Sequence, residues 1–160
     1  MKTFILSLFL LILVTSVAQA APSCYSQEEA EADQGIRIHS ELMVIGLNCQ
    51  VIGKRYGDDL YGTYRKYTAQ HGKLYAGYEQ TLMAFFKKNG SKDPVSSLNE
   101  LRTRYANKIS DEAAKMRPDI FCSRYAPRVK KASVMKEDEI KKWAGTIYPG
   151  HPVSYPRCKG

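Results

Sequence analysis

Cys24 and Cys49 are the first two of four cysteines, and the chain between them reads as a single helix. That feature limits the fold more than any other. Ser26-Gln27-Glu28-Glu29 has the form of a capping box, in which the serine accepts from the Glu29 amide and Glu29 returns to the Ser26 amide. Glu28, Glu29, Glu31 and Asp33 put negative charge where the helix dipole is positive. The pattern runs to about Ile52, and Gly53 supplies a stop. Ile38, Leu42, Ile45, Cys49 and Ile52 share one stripe, while Met43, Val44, Leu47 and Val51 make other faces of the second half apolar. A helix apolar most of the way round is a central one. Gly35 and Gly46 weaken a helix by about 1 kcal/mol each, which makes sense where another helix approaches closely. A rod from Ser26 to Ile52 is about 40 Å long, and bridged Cα atoms lie within about 7 Å. Cys24 therefore cannot pair with Cys49, and two of the three connectivities remain.

Topology chooses between them. A second helical pattern runs from Asp59 to Lys88, with Leu60, Tyr64, Tyr67, His71, Leu74, Tyr75, Tyr78, Leu82 and Phe85 at steps of three and four. Gly62, Gly72 and Gly77 lie off this stripe and suggest a second close contact. "NGSKDPVSS" is a loop. Ser97-Leu98-Asn99-Glu100 forms a second capping box, and Leu98, Leu101, Tyr105, Ile109 and Met116 give a third helix its face. Pro118 ends or kinks it. Shorter helices are expected near Asp119–Ser123, limited by Pro127, and over Lys136–Ala144, and the proline-rich tail "YPGHPVSYPRCKG" should be extended. The expected fold is all-α: an antiparallel bundle of three long helices, one or two short C-terminal helices and an extended, disulfide-stapled tail. Down, up and down again brings Cys122 to the Cys49 end, and the remaining chain climbs back towards Cys24. The expected bridges are Cys49–Cys122 and Cys24–Cys158.

The compartment follows from the leader and the cysteines. "MKTFILSLFLLILVTSVAQA" has a basic start, an apolar run from Phe4 to Val14 and the small-x-small Ala18-Gln19-Ala20. These are the parts of a secretory signal, too short in its apolar core to span a bilayer. Residues 1–20 are read as signal peptide and 21–160 as one helical domain. Removing Lys2 takes the formal net charge from +8 to +7, an excess that favours solubility and anionic partners. An even cysteine count after an export signal means disulfides. There is no C-x-x-C for redox or c-type haem chemistry, and no closely spaced cysteine pair for zinc. The localisation expected is exported, periplasmic in a Gram-negative bacterium and otherwise extracellular, with no transmembrane segment in the mature chain.

Three groups of residues stand out as candidate sites. His71 lies mid-stripe with Tyr67 and Tyr75 one turn either side, and His39 has Met43 one turn on. In an antiparallel hairpin the two histidines sit about 20 and about 17 Å from the same end. At one level, and with Met43, Tyr67 or Tyr75 beside them, they would suit a transition metal or a haem iron. Core histidines bonded by tyrosine hydroxyls are the plainer reading. Tyr56, Tyr61, Tyr64, Tyr67, Tyr75 and Tyr78 crowd one region and suit either a core edge or a partner-binding face. Arg124, Arg128, Lys130 and Lys131 form a basic cluster, with Lys141 and Lys142 beyond it, fit for an anionic partner or a solvated face. His151, in the tail, is expected to face solvent.

Enzyme signatures are missing: no G-x-S-x-G, no H-E-x-x-H and no glycine-rich phosphate loop. Nucleic acid is an unsuitable partner for an exported chain with little aromatic interleaving among its basic residues. The leading expectation is a non-enzymatic binding or structural protein of the cell envelope. It needs no cofactor, and its partner is a protein or an anionic envelope component. The alternatives are a metal- or haem-binding bundle using His39 and His71, and an enzyme with no recognisable motif.

Overall fold

The Ser26 amide donates to Glu29 Oε2 at 2.7 Å, and the Glu29 amide to Ser26 Oγ at 3.2 Å. From this capping box α1 runs unbroken over Gln27–Arg55. The computed structural model describes residues 23–158 apart from Tyr56, so the leader reading of residues 1–20 lies outside the described residues. After α1 come α2 (Leu60–Gln70), α3 (Gly72–Lys88), α4 (Pro94–Ala114), α5 (Pro118–Ala132) and α6 (Glu137–Gly145). Among the described residues no strand forms, and the only ladder contacts are the isolated bridges Tyr25 to Arg157 and Tyr148 to His151. The fold is all-α.

Each of the other five helices packs on α1, and more than half of its residues are buried. Ile38, Leu42, Ile45 and Cys49 are almost completely enclosed. Leu47 and Val51 are not, at 40 % and 60 % exposed, because no helix covers that side of the C-terminal turns. Close approach explains two glycines. A Cβ at Gly35 would stand 2.3 Å from the Tyr78 ring, and one at Gly46 3.4 Å from Tyr64 Cβ. Gly72 and Gly77 have nothing within 4 Å, so the expected second contact on that rod is absent there.

Cys24 pairs with Cys158 and Cys49 with Cys122, with Cα separations of 5.0 and 5.5 Å. No cysteine is free. Two disulfides mark a chain that folds in an oxidising compartment outside the cytoplasm. Among the described residues no helix is long and apolar enough to cross a membrane.

Three elements differ from the sequence reading. The second rod is jointed at His71, whose φ of −106° and ψ of 20° leave the helical region. Gly72 follows, a poor helix former with no side chain to pack. The apolar stripe survives the joint, with Tyr64, Tyr67, Leu74, Tyr75, Tyr78, Leu82 and Phe85 all buried. Second, α4 starts at Pro94, not at Ser97. Asp93 Oδ1 accepts the Ser96 amide at 3.0 Å, and proline at the first helical position loses no bond. Third, α5 begins at Pro118 and passes through Pro127. The carbonyl that Pro127 leaves without a partner is that of Ser123, and both residues are exposed. Water can satisfy it there, so the proline does not end the helix.

Candidate functional site

α1 packs against five helices, yet its buried surface carries a row of polar residues. Asp33, Gln34, Arg37, Ser40 and Glu41 are buried, at 0–6 % exposure. Their steps of three and four place them on one side of the helix. Buried polar groups need partners, and these come from α1 itself, from Tyr25, from α4 and α5, and from the C-terminal tail.

Asp33 is the clasp of the tail. Its carboxylate accepts from Tyr25 Oη at 3.1 Å, from the Ser154 amide at 3.4 Å, and from the Tyr105 and Ser154 hydroxyls. Burial pushes its carboxyl above the usual range, and the Ser154, Tyr105 and Tyr25 donors act against that shift. The Tyr25 and Tyr105 hydroxyls are pushed well above theirs, by burial first and by the Asp33 charge second. The Tyr25 amide donates to Pro156 O at 2.8 Å and the Cys158 amide to Tyr25 O at 2.9 Å. Gln34 Nε2 donates to His151 O at 3.0 Å. The extended tail is thereby laid along the N-terminal half of α1.

One turn further on, Arg37 and Glu41 form a buried ion pair. Arg37 Nη1 donates to Glu41 Oε1 at 2.8 Å and its Nε to Gln34 Oε1 at 2.7 Å. The two side chains are only 4 % and 8 % exposed. No hydrogen bond among the described residues engages Arg37 Nη2. Arg128, from α5, brings Nη1 to 3.5 Å from Glu41 Oε2, and its guanidinium lies 4.7 Å from the Tyr125 ring centroid. His151 Nδ1 stands 3.8 Å from Glu41 Oε1, too far for a hydrogen bond, and is buried with no partner among the described residues. Burial and then the Arg37 cation hold this imidazole below its ordinary pKa. It is a neutral neighbour of Glu41 and not its ion-pair partner.

This pair is the floor of an open cleft of about 680 Å³ between α1, α5, α6 and the tail. Arg128 and Lys131 line it from α5, and Lys142 and Trp143 from α6. Arg128 and Lys131, three apart, project from one face of α5, and Glu139, Lys142 and Trp143, three and four apart, from one face of α6. Tyr148 and His151 close the tail side. Four permanent cations face two carboxylates, Glu41 and Glu139. Glu139 is engaged in starting α6, since its Oε2 accepts the Lys136 amide at 2.8 Å. The cleft combines surplus positive charge, an indole and a rigid charged floor, which suits binding of an anion with an apolar body.

The residues singled out from sequence have mixed fates. Arg128 and Lys131 line this cleft. Lys130 turns away to Asp58, 2.6 Å distant. Arg124 borders a smaller cavity of about 270 Å³ beyond the Glu41–Arg128 wall. His151 is half-buried against Glu41 and not free in solvent. His39 Nε2 meets the Tyr64 hydroxyl at 3.1 Å. The His71 ring reaches the His39 ring only through two tyrosines: His39 to Tyr75 is 4.6 Å between centroids, Tyr75 to Tyr67 6.0 Å and Tyr67 to His71 5.1 Å. The Tyr67 and Tyr75 hydroxyls bond each other, and burial raises the Tyr67 hydroxyl to about 12. Met43 packs half-buried against the core. His71 Nε2 is buried with no hydrogen-bond partner among the described residues. No group of three or more His, Cys, Asp or Glu among the described residues is placed to hold a metal.

Burial of His39 has a measurable consequence. Desolvation, with the Arg102 cation second, lowers its pKa from 6.5 to about 4. The folded state therefore binds fewer protons than the unfolded one in that interval. Its contribution is complete above about pH 6.5 and is lost as pH falls towards about 4. At roughly 1.4 kcal/mol per unit the loss approaches about 3 kcal/mol. Urea unfolding at both ends of this window should show the wild type losing about 3 kcal/mol more than His39→Gln, which keeps a partner for Tyr64. Equal losses in the two proteins would contradict this.

Arg37, Glu41 and Gln34 escaped the sequence reading, which took Asp33 only as a charge suited to the helix dipole, and Trp143 and Tyr148 escaped it as cleft residues. A signal for the first four was present: a charged row at helical spacing on a helix whose apolar content already required neighbours all round. Compared with protein-family models, curated proteins and solved structures, the chain matches none.

Proposed function

We propose that this chain is an exported, non-enzymatic binding protein that acts through the cleft between α1, α5, α6 and the tail. The observation that carries this reading is the buried Arg37–Glu41 pair, 4 % and 8 % exposed, at the base of an open cleft ringed by Arg128, Lys131 and Lys142. Buried ion pairs add little net stability over apolar packing. A charged floor beneath an accessible cavity is better accounted for by recognition, because it presents fixed charge at low reorganisation cost. The paired cysteines leave no thiol nucleophile, and no cofactor is invoked. The partner would be a protein or an anionic component of the envelope or the extracellular surroundings.

Capture from the exported fraction with immobilised protein tests this. The wild type should retain a partner that Lys131→Glu/Lys142→Glu does not, with helix content unchanged by circular dichroism. Both lysines are exposed, so the reversal acts on the cleft rim and not on the core. Identical retention by both proteins would overturn the assignment of function to this cleft.

A further inference from the structure

The cleft's charge pattern narrows the class of ligand, an inference that rests on the binding role proposed above. We infer that its occupant is an acidic segment of a partner protein, with carboxylates interleaved with apolar side chains. Three features lead there. The cations stand on separate elements, Arg37 on α1, Arg128 and Lys131 on α5, and Lys142 on α6. Such spacing suits several single charges along a chain better than one compact multivalent ion. Trp143 and Met135 lie among these cations, and at about 680 Å³ the cleft is far larger than a lone oxyanion needs. An occupant therefore brings apolar surface as well as charge.

The third feature is Glu41. Its carboxylate is fixed beneath the cations by Arg37 and lies 3.5 Å from Arg128. Any anion entering the cleft meets this negative floor. Each guanidinium gives Glu41 one nitrogen, Arg37 Nη1 at 2.8 Å and Arg128 Nη1 at 3.5 Å, so Arg37 Nη2 and the remaining Arg128 nitrogens can donate to an entering carboxylate. Lys131 and Lys142 then serve the flanking acidic residues as mobile point charges.

Trp143 is the chain's one tryptophan, so its emission reports directly on the cleft. The full disulfide-bonded protein is titrated with a blocked peptide of alternating glutamate and leucine. Parallel titrations use the glutamine–leucine counterpart, inorganic phosphate, and vesicles of phosphatidylglycerol. The expected result is a saturable change with the glutamate peptide and none with the glutamine one. In Lys131→Ala/Lys142→Ala the affinity should fall about tenfold, two rim charges acting together. Phosphate and vesicles should bind more weakly than the peptide. The inference is overturned if the glutamate peptide gives no saturable change, if the glutamine peptide, phosphate or vesicles match it, or if the lysine variant binds equally well. Should any of these occur while charge reversal still abolishes capture from the exported fraction, the ligand class alone fails and the binding role stands.

Discussion

Replacing Cys24 and Cys158 together by serine should lower the stability of the oxidised protein by about 5 kcal/mol in the loop-entropy relation. The bridge joins residues 134 positions apart, so it closes a loop of nearly all the described chain, and the entropy removed from the unfolded state grows with loop length. The corresponding change at Cys49 and Cys122, 73 positions apart, should cost about 4.4 kcal/mol by the same relation. Guanidinium unfolding with the slope fitted for each protein measures both. The two losses should differ in their local effect. Without Cys24–Cys158 the tail is held by non-covalent contacts, chiefly the Asp33 clasp, the backbone bonds of Tyr25 and the Gln34 bond to His151 O, so amide exchange around Ser154 should accelerate before global unfolding. Tyr148 and His151 line the cleft from this tail, so the same variant should also weaken binding there. A stability loss below about 2 kcal/mol would show that the clasp, and not the covalent link, holds the tail in place.

Glu41→Ala should be nearly as damaging, at about 3–5 kcal/mol. Arg37 is 4 % exposed, and among the described residues Glu41 is the only carboxylate it bonds. Deleting that carboxylate leaves a guanidinium buried with only the Gln34 amide oxygen, at 2.7 Å, as partner. Most of the loss is therefore the cost of an uncompensated charge, not the worth of the pair. The double variant Arg37→Met/Glu41→Leu separates these two quantities. It removes both charges and keeps comparable volume, so it should recover most of the stability while losing cleft binding. If the double variant is as unstable as Glu41→Ala, the pair itself supplies structure, and the argument that it is retained for recognition loses its basis.

Much of the architecture could be read from residue spacing. The length of α1 excluded Cys24–Cys49, and the down-up-down path of three rods selected the bridges that form. Capping at Ser26 and Glu29 followed from four consecutive residues, because capping is a local interaction. Prolines were read less well. Pro94 and Pro118 begin helices and Pro127 sits inside one. Proline removes a donor without specifying whether the freed carbonyl can reach water, and only the exposure of Ser123 settles that at Pro127. His71 marks a joint for a similar reason: a periodic stripe passes through a kink unchanged, since both halves bury the same face.

The site was less legible than the fold. A basic run on α5 was visible, but its members part company: Lys130 goes to Asp58, Arg124 to another cavity, and Arg128 and Lys131 to the cleft. Which way each points depends on neighbours supplied by distant segments.

The amino-acid order on its own determined the helical class, the central place of α1 and the partners of all four sulfurs. These rest on periodicity, rise per residue and chain length, which are properties of a segment alone. Tertiary packing decided that Asp33, Arg37 and Glu41 would be buried, that the tail would return alongside them, and that Trp143 and Lys142 would face Lys131 across a gap. Burial and charge pairing across such a gap depend on what arrives from elsewhere in the chain, and no local pattern encodes that arrival.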